Sequence, residues 1–504
     1  MLFFSSVAIA MEFVTVYSVA AGFLLLLLIL LNEKKRRRLA PGPPGWPIIG
    51  NLPQLGDKPH QSLFLLAQKY GPLMTLKLGS TKTLVVSSPS MAREVLKDND
   101  QTFSSRTINV GARTFSYQGT TLVWSPYGPR WRLLRKICNF EIFSAKKLDA
   151  LQHLRREEVF RTIDSIYEDS KRSKTVNIGA RAFMTSLGLV GKMICSKDVF
   201  HPGSKQAVEF KDMVWGVLKL TGTPNLSDFF PFLERFDLQG LNRKMRNLAN
   251  RFDAMFDKII EERLAKSNGI GEKDFLQVLL DLRIDDTEFN LQDIKGMLMD
   301  MFIAGTDTTS VTIEWVMAEL LRKPDVMCRV KAELDDVVGA ERRMEESDIA
   351  NLPYLRAVVK EVFRLHPAAP LIIPRRADKS CEIGGYLVPE NTQVFVNVWG
   401  IGRDPRIWKD PLSFNPDRFL ECDIDYRGQD FELLPFGAGR RICIGLPLAH
   451  RMIHFVVGSL LQAFNWSIPD DDSLDMSEVF GITLQKAVPL RAVPSPRLPG
   501  KFYM

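Results

Sequence analysis

Phe436-Gly437-Ala438-Gly439-Arg440-Arg441-Ile442-Cys443-Ile444-Gly445 stands just before an apolar stretch with helical spacing, and its reading decides the fold. Gly437 and Gly439 permit a tight turn, and Gly445 follows the cysteine closely enough to admit a flat ligand. The helix start beyond them supplies backbone donors and a positive dipole end, both of which favour a thiolate at Cys443. A dinucleotide-binding loop would need a third glycine where Ile442 stands, so these glycines are not a G-x-G-x-x-G fingerprint.

Around this loop the composition is that of an ordinary folded protein. Of the 504 residues 45% are hydrophobic, 10% aromatic and 25% charged, which excludes intrinsic disorder. A mean hydropathy of −0.05 excludes a polytopic membrane protein. The net charge of +7 is concentrated in Lys34, Lys35, Arg36, Arg37 and Arg38, beside an apolar segment, so it does not mark a nucleic-acid-binding face. The other cysteines, Cys138, Cys195, Cys328, Cys381 and Cys422, form no C-x-x-C pair and read as reduced cytosolic thiols. His450 and His454 share a helical face but lack the H-E-x-x-H pattern of a zinc site, and read as a packed or solvated pair.

Residues 13–31 carry no charge, and Leu24 to Leu31 is an unbroken run of Leu and Ile. Those eight aliphatics contribute about −4 kcal/mol toward insertion, enough to span a bilayer. The basic cluster follows the apolar core instead of preceding it, so residues 1–33 read as an uncleaved transmembrane anchor, not a signal peptide. The positive-inside rule then places everything after it in the cytosol; Met1 and Met11 both offer a start. Pro41-Gly42-Pro43-Pro44-Gly45-Trp46-Pro47 forbids helix and sheet alike, so 34–47 reads as a basic cluster and stiff hinge.

Residues 48–504 contain no repeat or second linker and read as one domain, mainly α with small β-sheets. Helical periodicity runs over 90–98, 129–143, 145–170, 243–267, 291–322, 324–338, 353–365 and 446–464. Candidate strands are 73–78, 82–86, 381–388 and 393–397. Segment 401–435, rich in Pro, Asp and Arg, reads as an ordered meandering loop near a functional site.

Residues 436–445 match F-x-x-G-x-R-x-C-x-G at every specified position, and in this the chain resembles the cytochrome P-450 haem-thiolate monooxygenases. The resemblance implies that fold and a haem cofactor, with Cys443 as the axial iron ligand whose electron donation favours O–O cleavage. It also implies that Arg441 pairs with a haem propionate and that Phe436 packs near the sulfur. Glu361-Val362-Phe363-Arg364, worth only a few tenths of a kcal/mol as a surface pair, is similar to the family's E-x-x-R motif. That motif implies a buried triad with Arg418 of Pro416-Asp417-Arg418-Phe419, where Asp417 replaces the commoner Glu.

Ala304-Gly305-Thr306-Asp307-Thr308-Thr309 fills the middle of a helix poorly: glycine costs about 1 kcal/mol there, and threonines bond back to i−4 carbonyls and loosen the ladder. The segment resembles the family's oxygen-binding A-G-x-D/E-T-T, which implies that Thr308 hydrogen-bonds dioxygen and Asp307 feeds protons through water. Trp131-Arg132-Leu133-Leu134-Arg135 resembles the W-x-x-x-R helix, and Arg375 another propionate-binding position. Arg130, Arg132, Lys136 and Arg440 would present a basic face to an acidic electron donor. The chain has no nucleotide fingerprint, so NADPH acts indirectly, through an NADPH-cytochrome P-450 reductase in the same membrane.

The resemblance covers essentially the whole chain and looks like the plant microsomal type, which places it on the endoplasmic reticulum. Ile401-Gly402-Arg403-Asp404-Pro405, 429–436 and Phe480-Gly481-Ile482-Thr483 look closest to the subgroup of geraniol hydroxylases and ferruginol synthases. This points to a terpenoid substrate, with flavonoid and alkaloid hydroxylases as alternatives. Substrate-facing segments by the same resemblance are 104–123, 208–240, the central-helix groove at Ala304, 368–373 and 478–484. Leu371, Ile372, Phe480 and Ile482 within them suit a hydrophobic molecule. A reductase-independent haem isomerase or dehydratase, and a non-catalytic haem-binding protein, are the competing readings.

Overall fold

The computed structural model describes residues 39–201, 203–265, 273–285, 289–470 and 472–503. The anchor at 1–33 and the basic cluster Lys34 to Arg38 lie outside the described residues. The main helices are α1 (Pro59–Tyr70), α2 (Pro129–Cys138), α3 (Gln152–Lys171), α4 (Ile178–Cys195), α5 (Lys205–Gly222), α6 (Leu241–Ala265), α7 (Leu291–Arg322), α8 (Pro324–Val337), α9 (Pro353–Leu365) and α10 (Leu446–Ala463). Pro59, Pro129, Pro324 and Pro353 each open their helix, where the missing N–H has no intrahelical partner to lose.

At 32 residues α7 is roughly 48 Å long and runs through the core. Asn290 and Asp293 close its first turn as a capping box. It packs along α4 and against α9 and α10. Among the described residues, α4 alone is apolar and long enough to cross a membrane; 78% of it is buried, so it is a core helix.

A five-stranded sheet flanks the helical body, ordered β1 (Leu73–Leu78), β2 (Thr81–Val86), β5 (Gln393–Val396), β4 (Arg375–Arg376) and β3 (Ser105–Arg106). β2 and β5 are parallel and the other pairs antiparallel. This order sets Arg106 directly opposite Arg375. The proline segment docks on the same sheet, with Thr75 N donating to Pro41 O at 2.9 Å and Asn51 Nδ2 to Pro43 O at 3.2 Å.

The periodicity reading needs four corrections. The helix expected over 129–143 stops at Cys138 and continues as one wide turn, Asn139–Phe143. The one expected over 145–170 breaks at Leu151. The strand expected over 381–388 is a hairpin, because Gly384 and Gly385 take φ of +56° and +80°. Helices α1, α4, α5 and a shorter one at Phe275–Asp285 escaped the reading altogether; α4 is apolar nearly all round, so it has no stripe for a period to detect.

Candidate active site

The 436–445 loop is shaped by its glycines and by aromatic packing. Gly439 takes φ +69°, and a Cβ there would lie 1.9 Å from Leu96 O. Cys443 N donates to Phe436 O at 3.0 Å, while the Phe436 ring packs edge-on against Phe363 at 5.3 Å. Gly445 takes no positive φ, and a Cβ there would meet Cys443 Sγ at 3.8 Å, an ordinary contact. Nothing in the polypeptide therefore requires glycine at 445.

Cys443 has accessible surface yet lies deep in the protein, so its thiol opens on interior space. Burial pushes the thiol up, while backbone N–H groups of Gly445 and Leu446 and the Arg135 charge pull it toward thiolate. Of the central segment on α7, Ala304 is exposed and Gly305 and Thr308 are half-buried, in a helix otherwise almost wholly buried. Thr308 Oγ1 donates to Ala304 O at 2.8 Å and Thr306 Oγ1 to Phe302 O at 2.6 Å, yet the helix runs through unbroken. The expected loosening of the ladder therefore stops at side-chain back-bonds.

Asp307 is turned away from that open face. It is fully buried, takes a hydrogen bond from Gln485 Nε2 at 3.0 Å, and has the Thr483 hydroxyl and Trp215 indole beside it. Its Oδ2 makes no hydrogen bond of good geometry. Burial pushes this carboxyl up to about 6, with Thr483, Gln485 and Trp215 opposing.

Around the cysteine loop four guanidinium groups come together. Arg441 donates to the carbonyls of Ser104 (2.6 Å), Leu122 (3.3 Å) and Ser125 (2.5 Å) and lies 4.5 Å over the Trp131 ring. Arg375 donates to Ala438 O at 3.0 Å, Arg135 to Ile442 O at 2.9 Å and Arg106 to Ile373 O at 2.7 Å. Among the described residues none of the four is ion-paired, and Arg106 Nε and Arg375 Nε are buried with no partner. Burial and mutual repulsion depress Arg106 and Arg441, the latter to about 9. Such a cluster is costly unless an anion completes it, so the residues present fit a dianionic group beside Cys443.

The cytochrome P450 family model matches residues 40–490. The chain belongs to the cytochrome P450 family. This cytochrome P450 is 49% identical to the geraniol 8-hydroxylase of Catharanthus roseus over 91% of this chain and 94% of that one. It is 46% identical to the flavonoid 3'-monooxygenase of Crocosmia x crocosmiiflora, over 92% and 94%. A solved zebra fish cytochrome P450 with abiraterone superposes at a TM-score of 0.74 with 29% identity, covering 88% of this chain and 100% of that one. The P450 fold, mainly α with small sheets, and the haem-thiolate monooxygenase class follow from membership.

The P450's E-x-x-R pair forms a buried network. Arg364 Nε and Nη2 each bind Glu361 at 2.7 Å, and Arg418 Nε reaches Glu361 Oε1 at 3.1 Å. Arg364 also ties down the 401–435 meander through Gly402 O and Pro411 O, both at 2.6 Å, and Ser413 O at 3.0 Å. Asp417 has its own partner, a fork with Arg329 at 2.8 Å.

Of the five segments expected to face the substrate, one is the α7 groove, and the other four converge on it. Val123 N donates to Asp300 at 2.9 Å, Asn109 Nδ2 to Thr221 O at 2.8 Å, Leu484 N to Ala368 O at 2.8 Å, and Ile482 N to Leu218 O at 3.4 Å. The individual side chains are less concentrated. Leu371 and Phe480 belong to a satellite core under β1 and β2, Ile372 at φ +45° packs on the core beside β4 and β5, and Ile482 packs on the main core.

Two expected docking cations are already paired, Arg130 with Asp293 and Arg440 with Asp100, which leaves Arg132 and Lys136 exposed. His450 and His454 form a packed pair, with His450 Nδ1 on the Tyr426 hydroxyl at 2.5 Å. Arg106 was missed because it stands in a two-residue strand with no motif; only its sheet partner, Arg375, carries the signal.

Proposed function

We propose that this cytochrome P450 hydroxylates a hydrophobic plant terpenoid, in which the Cys443 thiolate would ligate haem iron and Trp131, Arg106, Arg135, Arg375 and Arg441 would hold the haem propionates. The observation that carries the haem site is the set of four unpaired guanidinium groups around the Cys443 loop. Phe436 packs on Phe363 and takes the Cys443 N–H on its carbonyl at 3.0 Å, and would stand beside the sulfur. Bound there, haem supplies dioxygen activation and insertion of one oxygen atom into a carbon–hydrogen bond.

The polypeptide's own tasks follow from its geometry. Thr308, whose hydroxyl proton is engaged by Ala304 O, presents its oxygen to the open face of α7 as an acceptor. Asp307, pushed up to about 6 but buried against Gln485, would pass a proton to the open face by turning from that partner. In the middle of α7 the open positions are Ala304, Gly305 and Thr308, where water would stand beside Thr308, whereas the neighbouring positions are packed. Ala304 stands on the open face, and Leu371, Ile372, Phe480 and Ile482 would add apolar surface, each from its own packing cluster.

Electrons come from NADPH through a reductase docking at Arg132 and Lys136. Residues 1–33 anchor the protein in the endoplasmic reticulum membrane, 34–47 hold it at that surface, and 48–504 form the cytosolic catalytic domain. The terpenoid reading rests on the similarity to geraniol 8-hydroxylase. A flavonoid substrate is the second reading, favoured by the 46% identity to a flavonoid 3'-monooxygenase. Membranes bearing the protein and a plant reductase, given NADPH and a panel of terpenes and flavonoids, decide between them by mass spectrometry against Cys443→Ala. Products from flavonoids alone would reject the terpenoid reading.

A further inference from the structure

The hairpin Glu478–Lys486 packs against α7. Its strands β6 (Glu478–Phe480) and β7 (Leu484–Lys486) pair antiparallel, with Phe480 opposite Leu484. The tip, Gly481-Ile482-Thr483, is wedged between α5 and α7: a Cβ on Gly222 of α5 would lie 2.4 Å from Gly481 C. Gln485 Nε2 holds Asp307, and Leu484 O accepts from Trp315 Nε1 of α7 at 3.2 Å. The hairpin thus stands beside the Asp307–Thr308 step of the site.

Backbone bonding at its root is slight, a two-stranded ribbon of three residue pairs closed by Ala487 N donating to Ser477 O at 2.9 Å, a kind of element marginal by itself. A side-chain clasp to α1 adds to it. His60 Nε2 donates to Glu478 Oε1 at 2.7 Å, and Gln61 Nε2 donates to the same oxygen at 2.6 Å. His60 is fully buried and Glu478 nearly so. The imidazole lies flat on the Phe480 ring, 5.3 Å between centroids at 13°, and edge-on to Trp399 at 5.0 Å. Asn397 Nδ2 in turn holds His60 O at 2.9 Å.

We propose that Glu478, clasped by His60 and Gln61, is a positioning residue for substrate orientation: it sets where Phe480 and the hairpin tip stand against α7, and so which part of a bound molecule faces Thr308. This deepens the proposed function and rests on its placement of the substrate at α7. His60 has two roles in it, hydrogen-bond donor to Glu478 and stacking platform for Phe480. A shift of the tip by a fraction of an ångström redirects the ligand without touching the haem-binding residues.

The test uses the haem-loaded protein with 1-phenylimidazole and 4-phenylimidazole, whose imidazole nitrogens bind haem iron while their phenyl rings project differently. Dissociation constants are read from difference spectra for the native protein, Glu478→Ala, Glu478→Gln and His60→Phe. In Glu478→Ala and His60→Phe the ratio of the two constants changes on the order of tenfold. Glu478→Gln, which keeps an oxygen for the His60 and Gln61 donors, changes it less. His60→Phe retains the stack, so a changed ratio there assigns the effect to the hydrogen bond. If both constants move together and the ratio stays within about twofold in every variant, the clasp is only structural and the proposal fails. Should Glu478→Ala hold no haem, Glu478→Gln and His60→Phe carry the decision. Neither probe is a terpenoid, so a protein that oxidises no terpenoid still answers this question.

Discussion

Arg364 grips Glu361 through two parallel hydrogen bonds of 2.7 Å, with both side chains completely buried. The same carboxylate takes Arg418 Nε at 3.1 Å and the backbone N–H of Asn415 at 2.8 Å. One acid thus anchors α9, the 401–435 meander and the turn at Pro416–Phe419.

Breaking that anchor strands buried charge. Glu361→Ala is expected to cost about 3–5 kcal/mol and to yield protein depleted of haem. Thermal unfolding and haem-to-protein stoichiometry check this, and native values for both would refute it.

The four guanidinium groups around Cys443 repel one another until an anion arrives. Arg441→Leu should therefore weaken haem retention by on the order of 1.5–3 kcal/mol, the worth of a charged hydrogen bond. Arg106→Leu should do the same, although no motif marks it. Haem transfer to a scavenging apoprotein measures both.

Asp307 titrates higher folded than unfolded, at about 6 against 3.8. The folded chain holds that proton more tightly, so the contribution to stability is present below 3.8 and is lost as pH rises to about 6. Asp307→Asn removes the dependence. The melting temperature of the variant minus that of the native protein should climb across this window and level off above it, by an amount corresponding to at most ~3 kcal/mol. A difference that stays flat with pH would contradict the assignment.

Two glycines of the cysteine loop should behave differently. Gly439→Ala forces a Cβ to 1.9 Å from Leu96 O at φ +69° and should sharply lower the melting temperature. Gly445→Ala meets only ordinary contacts at 3.8 Å and 3.9 Å, so the polypeptide tolerates it. If a flat ligand passes close to Gly445, this substitution lowers haem content with little loss of protein stability.

The parts of the site that were legible in the sequence are those in which a few adjacent residues do the chemistry. Cys443 with its flanking glycines, Glu361 with Arg364, and Thr308 with Asp307 all fall within ten residues of one another or less. The structure joins Glu361 to Arg364 and Arg418, but turns Asp307 from the open face toward Gln485. Trp131 and Arg135 were legible through the resemblance to the family's W-x-x-x-R helix, and Arg135 lies 5.4 Å from the Trp131 ring. The apolar residues Leu371, Ile372, Phe480 and Ile482 were legible as a class, not as a surface, because hydrophobicity does not say which core a side chain joins.

By itself, the sequence determined the helical class, the thiolate loop and the family, because turn glycines, proline helix starts and motif spacings act over a few residues. Only the tertiary structure decided that Arg106 joins Arg375 across a sheet, that Asp293 neutralises Arg130, and that His60 holds Glu478 from 418 residues away. Such pairings depend on strand order and helix packing, which are set by the burial of whole faces at once. No local period in the chain encodes them.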